Sequence, residues 1–272
     1  MAGTGNAHLR GEGMVLRAND INVEFKLGDK KVVKAVSGVS IDIAKGETLA
    51  VVGESGCGKS SLGKALLQLP KPTSGSVILN DVDITALHGE KLRAVRPQMQ
   101  MIFQDPYSSL NPRMRVGEII GEPLVVHSLA KGSAIKEQVL ALMQKVGLAP
   151  EHYDRYPHEF SGGQRQRIGI ARTIALKPKL IICDESVSAL DVSVQANLLN
   201  LLKDLQEQFS LTLLFVSHDL AVIRQMCDRV IVMKDGEALE NGSNENIFEQ
   251  PKHAYTRSLL DAMPKFQGLA QS

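Results

Sequence analysis

The chain has 272 residues, of which 43% are hydrophobic, so it can bury the core of one large domain or of two small ones. Its formal net charge is +1, whereas a nucleic-acid-binding domain usually carries a clear basic excess, so DNA and RNA are not expected partners. No apolar run approaches the roughly 18 residues of a transmembrane helix, and the first residues contain no apolar signal core. We therefore expect a soluble, cytoplasmic chain.

The three cysteines, Cys57, Cys183 and Cys227, are widely separated and belong to no CxxC or Cys/His ligand spacing. Reduced thiols are the usual state of cysteines in a cytosolic protein. Structural zinc and disulfide bonds are therefore not expected.

Residues 1–13 are rich in glycine and lack periodicity, which is typical of a disordered leader. Apolar residues then recur at alternate positions between residues 14 and 43, and this spacing predicts short antiparallel strands. The continuous apolar run over residues 48–52 predicts a strand that is buried on both faces.

A segment with the pattern G-x-x-x-x-G-K-S follows this strand and precedes a helix predicted over residues 59–69. In that context the pattern is typical of a phosphate-binding loop, in which backbone N–H groups surround phosphates, Lys59 reaches their oxygens and Ser60 ligates Mg²⁺. An ordinary glycine-rich turn is the alternative, but it leaves the lysine without a role. The candidate ATP-binding residues here are Gly53, Glu54, Ser55, Gly56, Cys57, Gly58, Lys59, Ser60 and Ser61.

Polar side chains stand at the ends of three further predicted strands, namely Gln104, Asp184, Glu185 and His218. Because ligands of open α/β sheets bind at the carboxyl ends of the strands, these side chains should face the phosphate-binding loop. Asp184 would bind Mg²⁺, and Glu185 would orient an attacking water. Gln104 is either a γ-phosphate or metal contact or an ordinary loop residue, and His218 either contacts the γ-phosphate or is simply packed.

Helical apolar spacing over residues 115–148 predicts a helical subdomain inserted between the halves of the α/β core. The subdomain continues to Ser161, Gly162, Gly163 and Gln164, which open a helix expected to end near residue 176. The unpaired N–H groups and the dipole of a helix start favour an anion, so this segment is a candidate for half of a phosphate site. A plain N-cap with a Gly-Gly turn is the alternative.

Taken in order, these motifs resemble those of ATP-binding-cassette (ABC) transporter ATPase subunits, over about residues 14–264. The chain is most similar to the oligopeptide/dipeptide importer subfamily. Segments outside the general ABC motifs carry this second resemblance: Gln104-Asp105-Pro106 with Ser109-Leu110-Asn111-Pro112, Tyr156-Pro157-His158-Glu159, and Gln250-Pro251-Lys252-His253-Ala254-Tyr255-Thr256.

The resemblance implies an α/β fold with a P-loop NTPase core built on a mixed, largely parallel sheet. An N-terminal antiparallel β-subdomain and an inserted α-helical signature subdomain, at about residues 105–177, would complete the nucleotide-binding domain. A tail of the peptide-importer type would cover about residues 241–264, and residues 265–272 would form a flexible C-terminus.

The resemblance also implies the cofactors ATP and Mg²⁺ and roles for single residues in ATP hydrolysis. Glu185 would polarise the attacking water, and His218 and Lys59 would hold the γ-phosphate. Phe25 is the candidate for stacking on the adenine ring, with a role in the core as the alternative. The implied metal contacts are Ser60, Gln104 and Asp184.

In this family two ATPase subunits dimerise head to tail, so the signature of one subunit covers the ATP held by the other. By resemblance, Ser161 and Gly163 would contact the γ-phosphate of the partner's ATP, with Gly162 and Gln164 completing the signature. Asp191 would reach across the dimer interface. The subfamily often pairs two different ATPases, which favours a paralogue over a second copy as the partner.

The resemblance therefore predicts a peripheral protein on the cytoplasmic face of the inner membrane that energises the import of peptides or related small solutes. Its partners would be a second ABC ATPase subunit, two transmembrane permease subunits and, indirectly, an extracytoplasmic solute-binding protein. One alternative is a non-transport ABC ATPase of DNA repair, chromosome organisation or translation, but those proteins usually carry coiled-coil insertions, zinc elements or a second cassette. Another is a P-loop kinase or GTPase, which leaves residues 161–164 unused.

Three residues depart from the general ABC pattern. Phe160 replaces a leucine, as is common in the peptide subfamily, whereas Ser186 and Ala254 replace prolines. Because proline restricts the backbone, Ser186 is expected to loosen the neighbouring Glu185.

If the signature acts only on the partner's ATP, Gly163→Asp should leave ATP binding by the monomer near normal while abolishing hydrolysis. Equilibrium ATP binding and steady-state ATP turnover of the variant check this expectation. A variant that loses both activities together would contradict it.

Overall fold

The structure is a computed structural model that describes residues 13–27, 31–186 and 190–262. The predicted leader, apart from Gly13, and the predicted flexible C-terminus at residues 265–272 lie outside these ranges. Within the described ranges, no helix combines the length and the apolar character needed to cross a membrane.

The N-terminal part of the chain forms an antiparallel sheet, as its alternating apolar pattern predicts. Its strands are β1 (Met14–Leu27), β2 (Lys31–Ala44), β4 (Ser74–Leu79) and β5 (Val82–Asp83), in the order β2-β1-β4-β5. The prediction of several short strands is wrong, because β1 and β2 each have 14 residues. Their pairing contains several register shifts, and such bulges bend a strand without ending it.

The second sheet carries the phosphate-binding loop. Its strands are β3 (Thr48–Val52), β6 (Met99–Ile102), β7 (Leu180–Asp184), β8 (Thr212–Val216), β9 (Arg229–Lys234) and β10 (Glu237–Ser243), in the order β10-β9-β3-β8-β7-β6. All neighbouring strands are parallel except the hairpin β9-β10. Every residue of β3, β7 and β8 is buried, as their continuous apolar runs predict. The carboxyl ends of the parallel strands therefore meet at one edge of the sheet.

Helices cover this second sheet and form the inserted subdomain. They are α1 (Lys59–Leu66), α2 (Gly89–Val95), α3 (Pro106–Ser109), α4 (Val116–Val126), α5 (Ser133–Lys145), α6 (Gly162–Ile174), α7 (Val192–Phe209), α8 (Leu220–Met226), α9 (Asn244–Glu249) and α10 (Ala254–Asp261). Helices α4, α5 and α6 lie between β6 and β7 in the sequence and pack on one another, as expected for an inserted helical subdomain. Helix α1 ends earlier than predicted, at Leu66.

Two apolar cores lie on opposite faces of the second sheet, and the strands between them belong to both. In β3, Ala50 and Val52 join the core that includes the helical subdomain, whereas Leu49 and Val51 join the core beneath the antiparallel sheet. This division follows from the alternation of side chains along a strand. Because both faces are buried, the strand ends are held at fixed positions at the edge of the sheet.

The C-terminal tail packs back on this sheet through Glu240, a residue of β10. The Glu240 carboxylate accepts hydrogen bonds from the N–H groups of Lys252 and His253 and from the hydroxyl of Thr256. Burial by itself would raise the pKa of Glu240, but these hydrogen bonds outweigh it and lower the pKa below its ordinary value. The carboxylate therefore stabilises the tail at neutral pH, and this contribution is lost as the pH falls through the folded-state pKa.

Ala254, which replaces a proline of the usual tail motif, is the first residue of α10. Proline is favoured at this position, and the preceding His253 has the extended backbone (φ −83°, ψ 139°) that a following proline requires. We therefore expect Ala254→Pro to stabilise the folded chain by about 0.4–1 kcal/mol, because it restricts the unfolded chain. Thermal unfolding should show a midpoint higher by about 1–4 °C, and an unchanged or lower midpoint would contradict this expectation.

Candidate nucleotide-binding site

The loop from Gly53 to Gly58 joins β3 to α1. At each of its two ends, neighbouring backbone leaves no room for a side chain. Gly58 has a φ of 102°, and a Cβ there would collide with the carbonyl oxygen of Ala35. A Cβ on Gly53 would collide with the carbonyl oxygen of Met233. Close contact with β2 and β9 therefore requires glycine at these two positions, whether or not a ligand also requires it.

Lys59 lies beneath this loop with only 4% of its surface exposed. Its ammonium group donates hydrogen bonds to the carbonyl oxygens of Gly53 (2.8 Å) and Glu54 (2.7 Å). Carbonyl oxygens satisfy the donors without neutralising the charge. The loop therefore keeps a buried positive charge that favours a bound phosphate.

Ser60, in the first turn of α1, meets Asp184, the last residue of β7, although the two are 124 positions apart in sequence. The Ser60 hydroxyl donates a 2.6 Å hydrogen bond to Oδ1 of Asp184, whose side chain is buried. Burial raises the pKa of Asp184, and the Ser60 hydrogen bond and the charge of Lys64 oppose this rise. Within the described ranges no group of three or more His, Cys, Asp or Glu side chains could hold a metal ion. A hydroxyl and a carboxylate fit Mg²⁺, with phosphate oxygens and water completing its shell.

Glu185 is held from both sides by the side chains that follow the neighbouring strands. Its Oε2 accepts a 2.7 Å hydrogen bond from Nε2 of Gln104, and its Oε1 lies 3.1 Å from Nδ1 of His218. Its backbone N–H donates to the carbonyl oxygen of Val216 at 2.8 Å. Three residues that the sequence suggested one by one are therefore a single cluster. Metal binding by Gln104 stays a prediction, since this contact uses its amide nitrogen.

The expected loosening of Glu185 by Ser186 is not what the geometry indicates. Ser186 is 4% exposed, and Glu185 itself has a φ of 45° in the left-handed region. The hydrogen bond to Val216 fixes the backbone, and the contacts with Gln104 and His218 fix both carboxylate oxygens. A proline at residue 186 is therefore not needed to hold Glu185 in place.

Several of these groups line one cleft of about 500 Å³, a volume suited to a nucleotide, whereas Asp184 and His218 are not among its lining residues. Ser55, Gly56, Gly58, Lys59, Ser60 and Ser61 contribute to its lining, together with Gln104 and Glu185. Sequence reasoning missed a second group of lining residues, which come from β2 and the β9-β10 hairpin: Val33, Lys34, Ala35, Asp235 and Gly236. In the sequence, only Lys234-Asp235-Gly236, which indicate a turn between two short strands, marked any of these positions.

Phe25, the candidate for adenine stacking, lies on β1 beside this cleft but does not line it. It is 39% exposed, and its cross-strand partner is Val33, which does line the cleft. The contact with adenine stays a prediction.

The signature residues do not line the cleft of their own subunit. Ser161 caps α6: its hydroxyl accepts a hydrogen bond from the N–H of Gln164, whose side-chain oxygen accepts one from the N–H of Ser161. This reciprocal pair is a capping box. The alternative of an N-cap is therefore correct as a local description. Because Ser161 is exposed at the helix start, the cap does not exclude an anion supplied from outside.

Gly163 and Gly162 lie against the segment that contains Asp191, the N-cap of α7. A Cβ on Gly163 would meet Cγ1 of Val194 at 2.5 Å, and one on Gly162 would meet Leu190 at 3.3 Å. Gly163→Asp therefore disturbs packing inside the subunit as well as any contact with a partner. The comparison of Gly163→Asp with and without Val194→Ala separates the two effects.

Comparison with known proteins identifies the family to which this chain belongs. A model of the ABC transporter family matches residues 36–188, which is more than half of the chain. The chain belongs to the ABC transporter family. The oligopeptide transport ATP-binding protein OppF of Escherichia coli is 50% identical over 268 residues, covering 95% of this chain and 80% of that protein. The dipeptide transport ATP-binding protein DppF of Escherichia coli is 49% identical, with coverages of 87% and 71%.

A solved structure agrees with the fold of this ABC ATPase. An ATP-binding cassette determined as a dimer in a post-hydrolysis state, bound to ADP and Pi, is 28% identical to it. The two superpose with a TM-score of 0.76, covering 84% of this chain and 98% of the other. The α/β P-loop core with an antiparallel sheet and helices is thereby confirmed.

The chain is thus an ATPase that uses ATP with Mg²⁺. Mg²⁺, when bound, neutralises charge on the phosphate oxygens. Lys59 would supply a further fixed positive charge beneath the loop, and Glu185 would supply the carboxylate that accepts a proton from water. Gln104 and His218 hold both oxygens of that carboxylate, so the protein itself sets its orientation.

We expect Glu185→Gln to lower ATP turnover by about 10²- to 10⁴-fold, because the amide cannot accept the proton of the attacking water. ATP binding should be unchanged, since glutamine keeps the size of the side chain. Turnover assays and gel filtration with ATP check this, and the ATP-bound dimer should accumulate. Glu249→Gln, at an exposed ion pair with Arg224, is the control and should retain turnover. Full turnover by the Glu185 variant would remove Glu185 from this role.

Proposed function

We propose that this chain is the ATP-hydrolysing subunit of a membrane importer for peptides or related small solutes. What carries the proposal is the near-50% identity to ATP-binding proteins of oligopeptide and dipeptide transport over most of the chain. The cleft supports the same conclusion, because it gathers phosphate-binding, metal-binding and carboxylate groups. The relatives named are transport proteins, and this disfavours the alternative of DNA repair or translation.

ATP-driven dimerisation is the second part of the proposal. Residues 161–164 lie outside the cleft of their own subunit, while the start of α6 leaves Ser161 exposed to a second chain. An ATP molecule bound between two subunits would bridge the cleft of one and the signature of the other. ATP would therefore stabilise the closed dimer, and hydrolysis would remove the bridge and shift the equilibrium toward separated subunits. We propose a paralogous ATPase as the partner, with Asp191 at the interface.

Permease subunits would dock on a groove beside β6, lined by residues of β6, α4 and α6. The groove has a volume of about 730 Å³. Its lining includes the exposed apolar side chains of Leu69, Phe103 and Val126. Phe103 directly precedes Gln104, which holds the Glu185 carboxylate. A partner seated in the groove would therefore act close to the residue that performs the chemistry.

We propose that the chain is a peripheral protein at the cytoplasmic face of the inner membrane. The permease subunits would link it to an extracytoplasmic solute-binding protein, which the chain itself would not touch. Solute choice would then lie in those other chains, and no residue of the cleft would contact the solute.

Isolating the tagged chain from detergent-solubilised membranes tests the proposal, and two permease subunits and a paralogous ATPase should accompany it. Val126→Asp should lose the permeases but keep the ATP turnover of the purified chain, because it puts a charge into the groove away from the cleft. Val82→Asp is a matched control, since Val82 on β5 is 47% exposed and Val126 is 49% exposed. Recovery with ribosomes or DNA, and without membrane proteins, would contradict the proposal.

A further inference from the structure

The tail segment that distinguishes this chain from general ABC ATPases contains a tyrosine that contacts the phosphate-binding loop. The backbone N–H of Glu54 donates a hydrogen bond to the hydroxyl oxygen of Tyr255 at 3.2 Å. The two residues are 201 positions apart in sequence. Tyr255 is 9% exposed, and its ring belongs to the core on the helical side of the sheet.

The backbone of Glu54 is thereby restrained at both its N–H group and its carbonyl oxygen. Its N–H is bonded to Tyr255, and its carbonyl oxygen is bonded to the Lys59 ammonium at 2.7 Å. Lys59 is the group expected to reach the phosphates, so its contact with the carbonyl is open to change when a nucleotide binds. The bond to Tyr255 does not depend on Lys59, and it can hold the first turn of the loop throughout.

The other end of the loop is held by the hairpin that touches the same tyrosine. The N–H of Gly236 donates to the carbonyl oxygen of Cys57 at 3.0 Å. Lys234, two residues earlier in the hairpin, places its ammonium 4.8 Å from the centre of the Tyr255 ring. The tail therefore fixes the loop at Glu54 and the hairpin fixes it at Cys57. Tyr255, the tail residue bonded to Glu54, also contacts the hairpin through Lys234.

The position of Tyr255 is in turn set by the start of α10. Glu240 binds the N–H groups of Lys252 and His253 and the hydroxyl of Thr256, directly beside Tyr255 in sequence. Burial raises the pKa of Tyr255 above its ordinary value although the hydrogen bond from the Glu54 N–H opposes this rise, and the hydroxyl is therefore protonated at neutral pH. A neutral hydroxyl at a fixed position is a suitable acceptor for one backbone N–H.

We propose that Tyr255 is a positioning residue for nucleotide binding, whose hydroxyl holds the first turn of the phosphate-binding loop in its phosphate-accepting shape. A loop that is already ordered loses less conformational entropy when phosphates bind. The proposal rests on ATP binding by this loop and not on the nature of the transported solute. It assigns a task to a segment that the sequence marked only as a subfamily feature.

The test is Tyr255→Phe in the full-length chain, which removes the hydroxyl but keeps the ring in the core and beneath Lys234. Dissociation constants for ATP and ADP should rise about three- to tenfold, the loss expected for one net hydrogen bond. The kcat at saturating ATP should stay within about twofold of the wild type, because Glu185 and its partners are untouched. Isothermal calorimetry and turnover assays measure the two quantities.

Amide hydrogen exchange distinguishes positioning from a general loss of stability. Without nucleotide, exchange in the variant should accelerate in the peptide covering residues 53–58 and nowhere else in the described core. Tyr153→Phe is the matched control, since Lys136 lies 5.2 Å from the Tyr153 ring in the helical subdomain. That control should keep wild-type affinity and wild-type exchange in the loop.

Unchanged affinity in Tyr255→Phe, or faster exchange spread over the whole chain, would overturn the proposal. Equal losses of affinity in Tyr255→Phe and Tyr153→Phe would also overturn it. A wild-type chain that binds no ATP would instead contradict its assignment as an ATPase. The two failures are therefore distinguishable in the same set of measurements.

Discussion

The contact of the Glu185 carboxylate with Gln104 and His218 is the interaction on which the catalytic arrangement depends. Each of the three side chains follows a different strand, and they meet because β6, β7 and β8 are parallel neighbours that end at one edge. Burial on both faces of the sheet keeps those strand ends in register. The apolar core is therefore what sets the distances within the polar cluster, and a carboxylate that is oriented beforehand needs little rearrangement during the reaction.

The phosphate-binding loop is likewise shaped by segments that are remote from it in sequence. Carbonyl groups of Ala35 and Met233 press against its glycines, and the Gly236 and Tyr255 contacts fix its ends. Strands from both sheets and the C-terminal tail thus converge on a short stretch of backbone. A change in any of these supports should alter nucleotide affinity without touching a catalytic group.

The signature presents the opposite situation, because its local structure is complete without a ligand. Ser161 and Gln164 form a capping box that satisfies N–H groups at the start of α6, and Gly163 packs against Val194 of α7. Within one subunit this region has a structural role only. We propose that its chemistry requires a second chain, and Asp191 at the start of α7 lies in the same region of the surface.

By itself the sequence determined the class of the fold and the identity of most residues in the cleft, because these depend on local patterns. Continuous apolar runs reveal buried strands, and the G-x-x-x-x-G-K-S spacing reveals the loop between β3 and α1. Only the tertiary structure showed that Glu185 is shared by Gln104 and His218, that Val33 lines the cleft, and that Tyr255 holds Glu54. Such contacts join residues far apart along the chain, and their distances follow from how two sheets and a tail pack, which no local pattern encodes.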